Sequence, residues 1–169
     1  MRSLVLFFVL ISVLNAKNFD DVTRALEKED YKEVYTILKE LENKQDKDVL
    51  FELARLYDYG CWVRQNISEA VKYYKKAAAL GHTEAKYNLG IIYYLGEDSI
   101  KDTNTDGKPT TCDKYMDEKD DIKPSLAEVK EDFKEALTWF SKASKDGFTD
   151  AKHSIELICE TRPEVCKQK

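Results

Sequence analysis

"VLFELARLYDYG", Val49 to Gly60, sets Leu53, Leu56 and Tyr57 at the three- and four-residue steps of one helical face and closes on a glycine. The pattern returns 36 residues later in "AKYNLGIIYYLG", Ala85 to Gly96, where Leu53, Tyr57 and Gly60 fall on Leu89, Tyr93 and Gly96. The same step carries Tyr31, Glu33 and Val34 of "YKEVYTILKEL" onto Ile67, Glu69 and Ala70 of "ISEAVKYYKKA", which puts a degenerate copy at the front. A last copy, "FKEALTWFSKASKDGFTDAKHSI", matches "ISEAVKYYKKAAALGHTEAKYNL" at a step of 66, with Gly81 falling on Gly147. The excess of 66 over 36 measures an insertion of about 30 residues after Gly96. Self-similarity at this period marks stacked supersecondary units.

Each unit reads as two helices, with Leu53, Leu56 and Tyr57 on the first and Ala70, Val71, Tyr74 and Ala77 on its partner. Strands are not required anywhere. Glycine closes the second helix at Gly81 and Gly147, and the small Ala78, Ala85 and Gly90 permit close helix contact. Asn66 or Ser68 is expected to cap the helix carrying Tyr73. Ser125, with Glu128 three residues on, forms a capping-box pattern that is expected to end the insertion and start the helix of Trp139. Pro163 is expected to stop the last helix. A chain of 169 residues, 35% charged and 43% hydrophobic, suits one domain built of helices with one buried and one solvated face.

The pattern A-x3-L-G-x2-Y-x2-G, followed by an alanine- and tyrosine-rich second helix, resembles the Sel-one-like repeat, a relative of the tetratricopeptide repeat. Ala85, Leu89, Gly90, Tyr93 and Gly96 carry it, together with Ala70, Tyr73, Tyr74, Ala77, Ala78 and Gly81 from the preceding half. The resemblance covers roughly residues 31–160 and departs from the family after the first helix, where Gly60 is followed by Cys61 and Trp62. It implies an all-α, right-handed solenoid over residues 17–169 with an inserted loop at 97–124, acting as a scaffold or adaptor for a protein or peptide partner. Tyr57, Tyr73, Tyr87 and Tyr94 are candidate partner-binding residues, although about two thirds of the tyrosines at repeat positions are expected to pack neighbouring helices.

The insertion contains "DTNTDGKPTTCD". Oxygen donors from Asp102, Asn104 and Asp106, a carbonyl at Lys108, then Thr110 and Asp113, fall at the spacing of a calcium-binding loop, with Gly107 at its turn. The segment resembles an EF-hand loop, and more closely its dockerin-type variant, so calcium is the one cofactor to consider. The competing reading is a polar insertion, since Pro109 replaces an apolar position and Asp, Asn, Thr and Gly abound in loops. Four cysteines allow three disulfide connectivities. In the solenoid that the resemblance implies, Cys61 follows one inter-helix turn and the insertion occupies the next, which favours Cys61 with Cys112 and leaves Cys159 with Cys166 as a clamp around Pro163.

"MRSLVLFFVLISVLNA" reads as a signal peptide over residues 1–16, with Arg2 ahead of an apolar run and Ala16 before polar sequence. The expected location is therefore periplasmic or secreted, with nothing else apolar enough to span a membrane. A net charge of −5 disfavours a nucleic-acid partner. Two further functions are weighed. Some cysteine-rich members of the resembled family are described as β-lactamase-like or penicillin-binding, but S-x-x-K, S-D-N and K-T-G are missing here. Others are scaffolds in envelope machines such as flagellar motors. His82 and His153 read as structural or exposed rather than as general bases, and no catalytic residue is expected.

Overall fold

The computed structural model describes residues 17–96 and 131–167, and no strand occurs among them. The helices are α1 (Phe19–Glu27), α2 (Tyr31–Leu41), α3 (Lys47–Tyr59), α4 (Ile67–Ala79), α5 (Thr83–Leu95), α6 (Phe133–Lys145), α7 (Thr149–Thr161) and the single turn α8 (Pro163–Cys166). Each packs against its neighbour in the chain, so contacts run along one axis in the manner of an α-solenoid. The odd-numbered helices are the first members of the repeat units and the even-numbered α2, α4 and α6 the second.

Helix ends follow local chemistry. Asn18 and Asp21 form a reciprocal capping box on α1, and Asp30, Asp46 and Asn66 accept backbone N–H bonds at the starts of α2, α3 and α4. After α4 and α6 the chain turns identically: the N–H of His82 bonds the Ala77 carbonyl and that of Phe148 the Ala143 carbonyl, around Gly81 and Gly147 at φ +90° and +91°.

Among the described residues two apolar clusters form the core. One joins α1 to α5 and the other α5 to α7, with Tyr93 packed against both. Tyr74 and Phe140, which occupy equivalent repeat positions, are the largest fully buried side chains among the described residues. Gly90 lies under the Phe140 ring, where an added Cβ would come within 2.5 Å of it. The equivalent of Gly90 one unit earlier is Ala54.

The insertion leaves the hairpin unaltered at its base. In the uninterrupted unit the Asn66 N–H bonds the Tyr57 carbonyl at 2.8 Å; in the interrupted unit the equivalent Asp132 N–H bonds the equivalent Tyr93 carbonyl, also at 2.8 Å. A Cβ on Gly96 would lie 2.4 Å from the Glu131 nitrogen, which shows how closely the departing and returning chain meet. The helix of Trp139 therefore begins at Phe133, with Asp132 accepting from the N–H groups of Lys134 and Glu135, and not at the Ser125 capping pattern. Asp132 prevails because it stands in repeat register with Asn66, the cap of α4.

Candidate interaction surface

Aromatic and lysine side chains alternate across the units in repeat register. Tyr57 on α3 stacks on Tyr73 on α4, with ring centroids 5.7 Å apart and planes 6° from parallel, and Tyr35 on α2 meets Tyr57 edge-on. The equivalents of Tyr57 and Tyr73 in the next unit are Tyr93 and Trp139, both half-buried against the first core cluster. Over these rings sit ammonium groups: Lys76 Nζ is 5.1 Å from the Tyr73 centroid and its repeat equivalent, Lys142 Nζ, is 3.8 Å from Trp139. Lys75 Nζ lies 5.4 Å from the Tyr93 centroid. Its equivalent one unit earlier, Lys39, reaches the Tyr73 hydroxyl at 3.5 Å.

The near end of this stripe is electrostatically closed. Lys39 pairs with Glu42, which also accepts from the Tyr73 hydroxyl at 2.7 Å. Burial opposes the charge on Glu42, but the bonds from Lys39 and Tyr73 outweigh it and hold the carboxyl below its ordinary pKa. Lys75, Lys76 and Lys142 are exposed and form no direct ion pair among the described residues, although the Lys76 charge also helps to hold Glu42 ionised. A groove of about 400 Å³ beside Lys76 runs between Glu42, Leu50 and the exposed Leu80.

Where the first helices meet α4, polar groups bind one another. The buried Tyr74 hydroxyl donates to Asp58 Oδ2 at 2.9 Å and accepts from Asn88 Nδ2 at 3.0 Å, linking α3, α4 and α5. Burial pushes the Asp58 carboxyl up to about 6, against the Tyr74 hydrogen bond and the Arg55 charge. His82 caps α5 by accepting the Ala85 N–H at Nδ1 and stacks on Phe51 at 4.0 Å. Burial lowers its pKa despite Asp48, 3.5 Å from Nε2. Phe148 and Tyr87, the repeat equivalents of His82 and Phe51, also meet ring to ring, at 4.7 Å and with their planes tilted, so His82 fills a packing position.

Of the four tyrosines singled out as partner-binding candidates, Tyr57 and Tyr73 lie in the stripe, with Tyr73 only 7% exposed. Tyr87 packs on Phe140 and Phe148, and Tyr94 on Phe133. Tyr59 alone among the described tyrosines is exposed. Cys159 and Cys166 are bridged, Cys61 is in a disulfide, and its expected partner Cys112 lies outside the described residues. So do all the proposed calcium ligands, Asp102, Asn104, Asp106, Lys108, Thr110 and Asp113. Among the described residues no cluster of acidic, histidine and cysteine side chains is arranged to hold a metal ion. No described helix is long and apolar enough to cross a membrane. The residues missed by sequence reasoning are Lys39, Lys75, Lys76 and Lys142; the repeat steps that pair Tyr73 with Trp139 also pair Lys76 with Lys142, and that was the available signal.

Helical hairpins stacked in repeat register, with side chains repeated along their outer surfaces, define an α-solenoid. The Sel1 repeat matches residues 48–82, 83–105 and 125–148, and the chain carries these repeats. A Sel1 repeat protein from Oxalobacter formigenes has a similar crystal structure, with a TM-score of 0.62 at 19% identity over 85% of this chain and 47% of that one. An uncharacterized protein of Neisseria meningitidis serogroup B is 37% identical over 54 residues, which make up 32% of this chain and 12% of that protein. The chain thus spans about half of the structural relative and a small part of the sequence relative.

Proposed function

We propose that this chain is an exported helical-repeat adaptor that holds a protein or peptide partner in the cell envelope or outside the cell. The observation that carries the reading is the Sel1-repeat solenoid itself, whose ordered rows of side chains extend over successive units as a recognition surface rather than converge on one reacting atom. Export is supported by the apolar run behind Arg2 and by disulfides at Cys61 and between Cys159 and Cys166, bonds that persist in oxidising compartments. The test is affinity capture by the folded, oxidised protein from an envelope extract of the source cells, then reconstitution with each purified captured protein. A complex of fixed stoichiometry is expected. Failure of every captured protein to form one, or turnover of a chromogenic β-lactam that repurification does not remove, overturns the reading.

A further inference from the structure

The two sets of helices differ in charge. The first helices α1, α3, α5 and α7 carry ten acidic residues against five basic ones, whereas the second helices α2, α4 and α6 carry eight lysines against four glutamates. In a chain of net charge −5 the positive potential is therefore gathered on one set of helices. Several acids of the first helices are already engaged: Asp21 by Arg24, Glu52 by Arg55 and Asp58 by Tyr74. Along the aromatic stripe Lys39 is paired with Glu42, whereas Lys75, Lys76 and Lys142 form no direct ion pair among the described residues.

We propose that Lys75, Lys76 and Lys142, held over Tyr93, Tyr73 and Trp139, receive the carboxylates of an extended acidic segment of a partner protein. This inference rests on the adaptor reading and names the chemistry of its partner.

Charge complementarity argues for the occupant. The rings restrain ammonium groups on long, flexible stems, so less rotamer freedom remains to be lost when a carboxylate binds. An extended chain advances about 3.3 Å per residue, so acidic residues spaced along it can meet the lysines of α4 and of α6 in more than one register. The rings themselves are poor ligands for a bilayer or for bases. Tyr73 is 7% exposed, Tyr57 and Tyr73 stack on each other, and the Trp139 indole N–H is donated to Glu135 at 2.8 Å. What faces outward is the lysine row.

The experiment uses the full oxidised chain and a fluorescein-labelled dodecapeptide of Glu-Thr-Ser repeats, with a Lys-Thr-Ser counterpart, read by anisotropy at low and high salt. The glutamate peptide is expected to bind and the lysine peptide not. Binding should weaken at least about tenfold in the triple variant Lys75→Glu, Lys76→Glu, Lys142→Glu and be unchanged in Lys152→Glu on α7. A second triple variant, with glutamine at the same three positions, gives an intermediate loss, and circular dichroism verifies that each variant is folded. Equal binding by the wild type and both triple variants overturns the proposal. So does binding to phosphatidylserine vesicles or a single-stranded oligonucleotide with none to the glutamate peptide. The adaptor reading is separated by repeating the capture experiment: a partner held equally by wild type and triple variant sinks the stripe alone, and a wild type that forms no complex sinks both.

Discussion

Asp58 sets burial against charge at the joint of three helices. Its carboxyl, lifted to about 6 by desolvation, has an unfolded value near 3.9, so the native state keeps a proton that the unfolded chain releases. Its contribution to stability is thus full below about pH 4 and is lost as pH rises to about 6. Asp58→Asn keeps an acceptor for Tyr74 and removes the titration. It should stabilise the protein at pH 7 by about 1–3 kcal/mol and abolish the loss between pH 4 and 6. His82 works in the opposite sense: its lowered pKa gives stability that is full above about pH 6.5 and declines as the solution is acidified. Thermal midpoints of wild type and Asp58→Asn across this range are the check, and parallel profiles would refute the argument. Gly90 is a second sharp position. Gly90→Ala drives a methyl group toward the Phe140 ring and should cost about 1–3 kcal/mol, partly recovered when combined with Phe140→Leu. A double-mutant cycle from chemical denaturation measures that coupling. Neither effect was legible in the sequence as an energy. The repeat step carries Asp58 onto Tyr94, so no second copy announces the Asp58 network, and Gly90 showed only that close contact was permitted.

At the scale of the element, the α5–α6 hairpin is the α3–α4 hairpin with a longer turn. The repeat steps revealed this because they compare whole helix pairs, and the excess of 66 over 36 measured the insertion. The sequence was less informative about where the second helix restarts. Ser125 and Glu128 satisfy a local capping rule, while Asp132 satisfies one together with the Tyr93 carbonyl, a tertiary partner that no short motif contains. The shared junction bonds predict that the insertion is dispensable for folding. Replacing residues 97–131 with the five-residue turn found at residues 61–65, with serine for its cysteine and Cys61→Ser alongside, should leave the helical circular dichroism per folded residue unchanged and a cooperative unfolding transition. Loss of that transition would mean that the insertion holds the helices together. Asp132 remains in this variant and still caps α6, a contribution worth about 1 kcal/mol.

For the whole molecule, repeat architecture makes stability local, and the two clusters show where the division falls. The first joins five helices and the second depends on α5, α6 and α7, with Tyr93 packed against both. Only Ala151 and Ile158 of α7 are buried, so the end of the solenoid has little core of its own. The Cys159–Cys166 bridge, closing a loop seven residues apart in sequence, ties α8 back onto α7. Closing so short a loop removes about 2–3 kcal/mol of unfolded-chain entropy, a stabilisation confined to the segment it joins. In a stacked array, units open with nearest-neighbour energetics. Cys159→Ser combined with Cys166→Ser should therefore speed amide hydrogen exchange in α7 and α8 by roughly 30- to 100-fold while leaving α3 and α4 within experimental error. Exchange resolved by fragment mass spectrometry separates the two behaviours. Uniform acceleration from α1 to α8 would mean one all-or-none core, and the repeats would then describe the ancestry of the sequence without describing how its stability is distributed. A gradient that dies out at Tyr93 would place the mechanical boundary of the solenoid between its two aromatic pairs, beside the lysines that cross from one unit to the next.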